Sequence, residues 1–242
     1  PYRRQRQMCI RDRDRSLIML TPTDIDFLTH SLTFWDNLKP IEQQLILDYT
    51  MPLTYKQGTT IHGGNRDCIG VLLVKSGTLR TYLLSDEGKE VTLYRLSSGD
   101  ICILSASCLL KNITFDVHID AEVDTQILLI DSSIFARITS QNIYVENFSY
   151  KVAAEKFSDV IWAMEQILFM SFDKRLAIFL IDEATKNNSN TIYLTHEQIA
   201  KYMGSAREVV SRMLKYFANE GWVQLSRGSI TLMNKKCLRA LM

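Results

Sequence analysis

The sequence predicts an α+β chain in which an antiparallel β domain, a long helix and a C-terminal winged helix-turn-helix follow one another. Three observations carry this. Between Thr59 and Asp131, short apolar and β-branched runs are broken by Gly- and Asp-containing turns at about 10–12-residue intervals, the rhythm of an antiparallel sandwich or barrel. Between Ser132 and Met170 neither Gly nor Pro interrupts a series of apolar residues at helical spacing. Between Leu194 and Leu232, two helix-start signals flank Gly204 and an alternating hairpin pattern follows.

The 242 residues are 46% hydrophobic and 23% charged, the composition of an ordinary globular chain with room for one large or two modest domains. Cys9, Cys68, Cys102, Cys108 and Cys237 form no C-x-x-C pair, which argues against a disulfide scaffold or zinc ribbon and for a reducing, cytoplasmic setting. No run approaches the ~18–20 apolar residues of a membrane span, so no membrane partner is expected. The net charge of +1 hides a polarised distribution: residues 1–16 carry +4, residues 17–170 carry −8 and residues 171–242 carry +5. An acidic body joined to a small basic part suggests a regulatory unit and a polyanion-binding module.

Residues 1–16 hold six arginines without hydrophobic period and read as adapter-derived or disordered sequence, outside the fold. From Leu20 to about Lys56 the pattern is helical, with Thr23 and Asp24 as start signals. Strands are expected at Ile69–Val74, Thr78–Leu84, Val91–Leu96 and Ile127–Ile130, completing a β domain that, with its helical preface, spans 17–133. Residues 134–170 read as helices, the last a long one whose seam of Phe148, Val152, Phe157, Val160, Met164 and Ile167 packs on the β domain or on a second copy. A two-stranded contact would require a 3.5-residue repeat.

Residues 171–242 form the basic module. Thr195-His196-Glu197-Gln198 has the form of a capping box, with Leu194 and Ile199 placed as a hydrophobic staple. The helix it starts runs to Met203 and stops at Gly204, which suits a turn needing positive φ. Ser205-Ala206-Arg207-Glu208 reads as a second capping box. The helix after it has a core stripe, Val210, Met213, Leu214 and Phe217, and an opposite stripe of Glu208, Ser211, Arg212 and Lys215. Arginine can donate twice to guanine, glutamate can accept from cytosine N4, and serine and lysine can bind phosphate. Arg207, Glu208, Ser211, Arg212 and Lys215 are therefore the candidate residues for reading double-stranded DNA in the major groove. Val223 to Leu232 supplies a wing with Arg227 at its tip.

This order resembles the Crp/Fnr family of bacterial transcription regulators. The resemblance spans about residues 20–242 and rests on Val74-Lys75-Ser76-Gly77-Thr78-Leu79-Arg80, Asp86-Glu87-Gly88-Lys89-Glu90, Ser98-Gly99-Asp100, Phe172-Asp173-Lys174-Arg175-Leu176-Ala177 and the run from Leu194 to Leu214. It implies a β-roll of the cyclic-nucleotide-binding type, a homodimer held by the long helix, and two recognition helices in successive major grooves of a palindrome. It also implies RNA polymerase as a partner and no catalytic activity. The family's base-reading positions map by motif onto Arg207, Glu208, Ser211 and Arg212.

One stretch departs from the family. Members that bind cyclic AMP carry Gly-Glu-Leu and then Arg-Ser or Arg-Thr after the Gly-Asp turn, whereas this chain has Ile101 to Leu110 and then Asn112 to Phe115 without Glu or Arg. A buried phosphate needs a cation, so the expected effector is something other than cyclic AMP, and the cofactor is left unassigned. Cys102, Cys108 and His118 remain as redox, metal or haem candidates, against the plainer reading of the cysteines as core residues. The rival functional reading is a Cys/His redox or metal enzyme on the β domain, with Cys108 as nucleophile and His118 as base.

Overall fold

The computed structural model describes residues 19–63, 68–103 and 117–242. Two helices open it, α1 at Pro22–Ser31 and α2 at Pro40–Asp48, each with proline in its first turn, where a missing N–H is harmless. The cap of α1 lies two residues earlier than the sequence signals suggested: Thr21 accepts from the Asp24 N–H, and Asp24 accepts in return from the Thr21 N–H. The helical preface also ends sooner than expected. Thr50–Tyr55 is a strand, β1, because all six of its residues pair with β8, at Thr125–Ile130, a partner 70-odd residues away that local pattern cannot see.

The β domain is two four-stranded antiparallel sheets. One has the order β1-β8-β3-β6, with β3 at Val71–Ser76 and β6 at Ile101–Cys102. The other has the order β2-β7-β4-β5, with β2 at Thr60–Gly63, β7 at His118–Ala121, β4 at Thr78–Leu84 and β5 at Glu90–Ser97. Both faces of β3 are buried because alternate residues enter different cores. Leu72 and Val74 join Leu79, Leu96, Cys102, Ile119, Ile127 and Leu129 between the sheets. Val71 and Leu73 pack with Leu28, Phe34, Ile46, Phe135 and Phe148 on the outer side.

That outer core is closed by α3, Ser132–Thr139, and by the first turns of α4, Ile143–Phe169, a helix of 27 residues. The C-terminal module begins with α5, Phe172–Lys186, and continues through β9 at Thr191–Ile192, α6 at His196–Met203 and α7 at Arg207–Asn219. It ends with the hairpin β10, Val223–Ser226, and β11, Ser229–Leu232, and with α8, Lys235–Ala240. Leu176, Leu180, Ile199, Val210, Leu214, Phe217, Val223 and Ile230 give this module a core of its own.

The long helix divides its apolar residues differently from the expected seam. Phe148 and Val152 belong to the outer core, and Val160 packs against the inter-sheet core, whereas Phe157, Met164 and Ile167 are exposed. The exposed set extends to Tyr150, Ala154, Phe157, Ile161, Met164 and Leu168, whose spacings of four, three, four, three and four are a 3.5-residue repeat. Two residue sets on one helix, one facing the β domain and one facing outward, were merged when read by spacing alone.

Candidate nucleic-acid interface

The helix-turn-helix is set by its caps. Thr195 accepts from the Gln198 N–H, and Gln198 Oε1 accepts from the Thr195 N–H, completing the box; Ile199 is buried and Leu194 packs against the same core. Gly204 closes α6 in the left-handed region, φ 57°. Its lack of a side chain matters twice, because a Cβ there would stand 2.9 Å from Cγ2 of Val91 on β5. The turn of the motif thus touches the β domain directly.

The second helix starts one residue later than expected. Ala206 is its N-cap and no side chain caps it, so Ser205 and Glu208 do not form the reciprocal box. Glu208 therefore sits in the first turn, exposed, where a carboxylate suits the positive end of the helix. Arg207, Glu208, Arg212 and Lys215 are exposed and Ser211 is half-buried, while Val210, Leu214 and Phe217 are fully buried on the opposite side. All five candidate DNA-reading residues occupy one outward surface of α7 and its first turn. His196, at the start of α6, lies close enough to Arg207 and Lys215 that burial and then these two cations lower its pKa below the ordinary value. Both helix starts therefore share one positive field. Arg227 is exposed at the tip of the β10–β11 hairpin beside Gly228.

A profile of the Crp-like helix-turn-helix domain matches residues 174–241, and one of the cyclic nucleotide-binding domain matches residues 52–142. A solved structure assigned as a transcriptional regulator of the Crp/Fnr family from Eubacterium rectale is 48% identical, with a TM-score of 0.84, and the match covers 88% of this chain and 98% of that one. The chain belongs to the Crp/Fnr family of transcription regulators. Among its more distant Crp/Fnr relatives, the cyclic AMP receptor protein of Thermus thermophilus is 25% identical over 193 residues, covering 80% of this chain and 88% of that protein. CooA from Carboxydothermus hydrogenoformans is similar in fold, with a TM-score of 0.62 and 25% identity over 86% of this chain and 94% of that one.

In this Crp/Fnr member the described part of the β-roll interior is mostly apolar. Besides hydrocarbon, the buried polar groups there among the described residues are the hydroxyls of Thr81, Tyr94 and Thr125, the imidazole of His62, opposite Ile119, and the thiol of Cys102. Burial raises the Tyr94 phenol well above its usual pKa, which keeps it neutral. Cys102 and His118 are not brought together. Cys102 points between the sheets, whereas His118 lies on the outer face of β7, stacked on Tyr82 at 5.2 Å. Alternation along β7 puts Ile119 and Ala121 inward and His118 and Asp120 outward. Cys108 falls outside the described residues. Cys68 is disulfide-bonded, a bridge that irregular spacing did not announce, while Cys102 is a buried thiol.

The outer face of the second sheet carries charge instead. Arg80 pairs with Glu90 and lies over the Tyr82 ring at 4.0 Å; Glu90 also accepts from Lys201 of α6 at 3.1 Å. Burial pushes the Glu90 pKa up, but the hydrogen bonds from Arg80 and Lys201 outweigh it and hold the carboxyl below its usual range. Arg95 of β5 reaches Glu122 at 3.3 Å and Glu183 of α5 at 2.6 Å, and lies 3.8 Å from the Tyr202 ring centroid. Sequence reading assigned none of these residues a role, because outward charges on a strand look like ordinary solvated positions until a second domain is set against them.

Proposed function

We propose that this chain is a dimeric, sequence-specific transcription regulator that reads a palindromic DNA site through α7 and responds to an effector other than cyclic AMP. The observation that carries the proposal is the outward surface of α7, where Arg207, Glu208, Ser211, Arg212 and Lys215 stand clear of the core that holds the helix. Two arginines and a carboxylate within two turns suit base edges better than a uniform polyanion, since the carboxylate would oppose phosphate.

Dimerisation is supported by the heptad-spaced face of α4. Phe157 is 65% exposed and Leu168 66% exposed, a cost in water that a second copy of the helix would remove. Two wings and two recognition helices then follow the DNA about one turn, ~34 Å, apart. RNA polymerase is the partner through which such a regulator acts, in the cytoplasm. No helix among the described residues is long and apolar enough to cross a membrane.

An effector other than cyclic AMP is supported by the β-roll interior. Among the described residues its inward side chains carry no Arg or Lys: they are apolar apart from Thr81, Tyr94, Thr125, Cys102 and His62, and Arg80 and Arg95 face outward. A cyclic phosphate placed there would be desolvated without a cation. No catalytic role is assigned: the chain's relatives are DNA-binding regulators, and His118, the base of the rival Cys108–His118 reading, lies on the outer face of β7 stacked on Tyr82.

Binding to random duplex DNA at increasing salt tests the polyanion component. The expected result is a linear fall of log K with log salt, with slope close to −0.9 for each phosphate neutralised. Binding that ignores salt would overturn the assignment of α7.

A further inference from the structure

Where β5, the last turns of α4, α5 and α6 converge, the surface opens into a cleft of about 170 Å³. Trp162 and Gln166 of α4, Phe179 of α5 and Tyr202 of α6 line it, and Leu93 and Arg175 do so from β5 and the start of α5. Arg175 distinguishes this cleft. One nitrogen, Nη1, donates to the Met203 carbonyl at 3.2 Å, satisfying the C-terminal end of α6. Its Nε is buried and finds no hydrogen-bond acceptor. No carboxylate pairs with this guanidinium among the described residues, in contrast to Arg80 and Arg95, which each hold two. Burial lowers the pKa of Arg175, with nothing acting against it.

A guanidinium partly withdrawn from water, with an unused buried N–H and no counter-charge, is unfavourable unless an anion completes it. A planar carboxylate matches its fork. Asp182 also lines the cleft, and burial, helped by the neighbouring Glu183, raises its pKa against the opposing pull of Lys186. A second negative charge on a ligand would meet that carboxyl. The aromatic walls and Leu93 offer apolar contact to the remainder of a small molecule, and 170 Å³ is below the roughly 300 Å³ at which drug-sized pockets begin.

We propose that this junction cleft binds a small monocarboxylate with an apolar tail, its carboxylate seated on Arg175 and its tail against Trp162 and Tyr202. The proposal rests on the regulator reading, in which an effector acts by favouring one arrangement of β domain, long helix and DNA-binding module. The cleft is built from all three.

The test titrates the full chain with sodium butanoate, benzoate, succinate and inorganic phosphate. The readout is the indole N–H resonance of Trp162, assigned by its loss in Trp162→Phe. Butanoate or benzoate should shift it saturably with Kd of about 1 mM or tighter, and succinate and phosphate should bind at least about tenfold more weakly. Arg175→Gln should weaken the monocarboxylates by about tenfold or more. Should that variant fail to fold, Gln166→Glu keeps Arg175 in place and should abolish binding by setting an anion in the wall. No saturation by about 50 mM, or equal binding by Arg175→Gln, overturns the proposal. Affinity for palindromic DNA is measured in parallel without carboxylate. Intact DNA binding with silent carboxylates defeats this inference alone, whereas loss of specific DNA binding defeats the regulator reading.

Discussion

Arg95 Nη1 donates to Glu183 Oε1 at 2.6 Å, joining the middle of β5 to the helix that begins the DNA-binding module. Both side chains are largely buried, and Glu122 and the Tyr202 ring complete the surroundings of the guanidinium. Burial acts to lower the pKa of Arg95, but Glu122, Tyr202 and Glu183 together raise it, so the guanidinium stays charged. The contact fixes how the recognition helix is carried relative to the β-roll.

Removing one member leaves the others buried without compensation. Arg95→Ala is expected to destabilise the full chain by on the order of 3 kcal/mol and to split a single thermal transition into two as the DNA-binding module loosens. Arg95→Met combined with Glu183→Leu should recover most of the loss, because matched apolar side chains avoid the uncompensated charge. Calorimetry showing an unchanged single transition in Arg95→Ala would remove this contact from the account.

On α7, Arg212→Ala is expected to cost about 1–3 kcal/mol on a cognate site and to relax preference at one base pair. Lys215→Ala should weaken all sequences about equally and reduce the salt slope by about one. Glu208→Gln separates its roles. Since Glu208 does not form a capping box, helix stability should barely change, while base preference at one position should. A large stability loss without altered preference would return Glu208 to a structural role.

For the dimer, Phe157→Glu or Leu168→Glu is expected to yield monomers by light scattering at micromolar concentration with the β-roll still folded, because both side chains face outward. Val160→Glu is a different experiment. Val160 packs on the inter-sheet core, so a charge there should lower stability first. Parent protein that is monomeric with and without DNA would remove the heptad face from the account.

The lowered pKa of His196 has a definite sign. Its neutral form is favoured in the folded state, so its contribution is fully present above the unfolded value of about 6.5 and is lost as pH falls from there through the folded pKa. Unfolding midpoints should fall between pH 7 and 5 more steeply in the parent than in His196→Gln. Identical pH profiles would show that neither burial nor Arg207 and Lys215 depress the pKa of this ring in the folded state.

Much of this molecule was legible from local chemistry. Thr78–Leu84, the Thr195–Gln198 box, the Gly204 turn and both stripes of α7 are encoded within a few residues of where they act, and the structure places them as read. What escaped depended on distant partners. Thr50–Tyr55 is a strand only because β8 accepts it, and β2, β6 and β7 are two to four residues long, too short to show a period. Arg95 and Glu183 acquire a role only when two domains meet. Cys102 and His118 stood in one candidate group with Cys108, yet Cys102 points between the sheets and His118 lies on the outer face of β7.

The central claim is that a dimer of this chain reads a palindrome through the outward face of α7. Selection from a random duplex library, run in parallel with the parent and with Arg212→Ala, tests it directly. The parent should return a dyad-symmetric motif with half-sites about one helical turn apart, and Arg212→Ala should lose one G·C preference in each half-site. A motif without dyad symmetry, or the same motif from both proteins, would contradict the account.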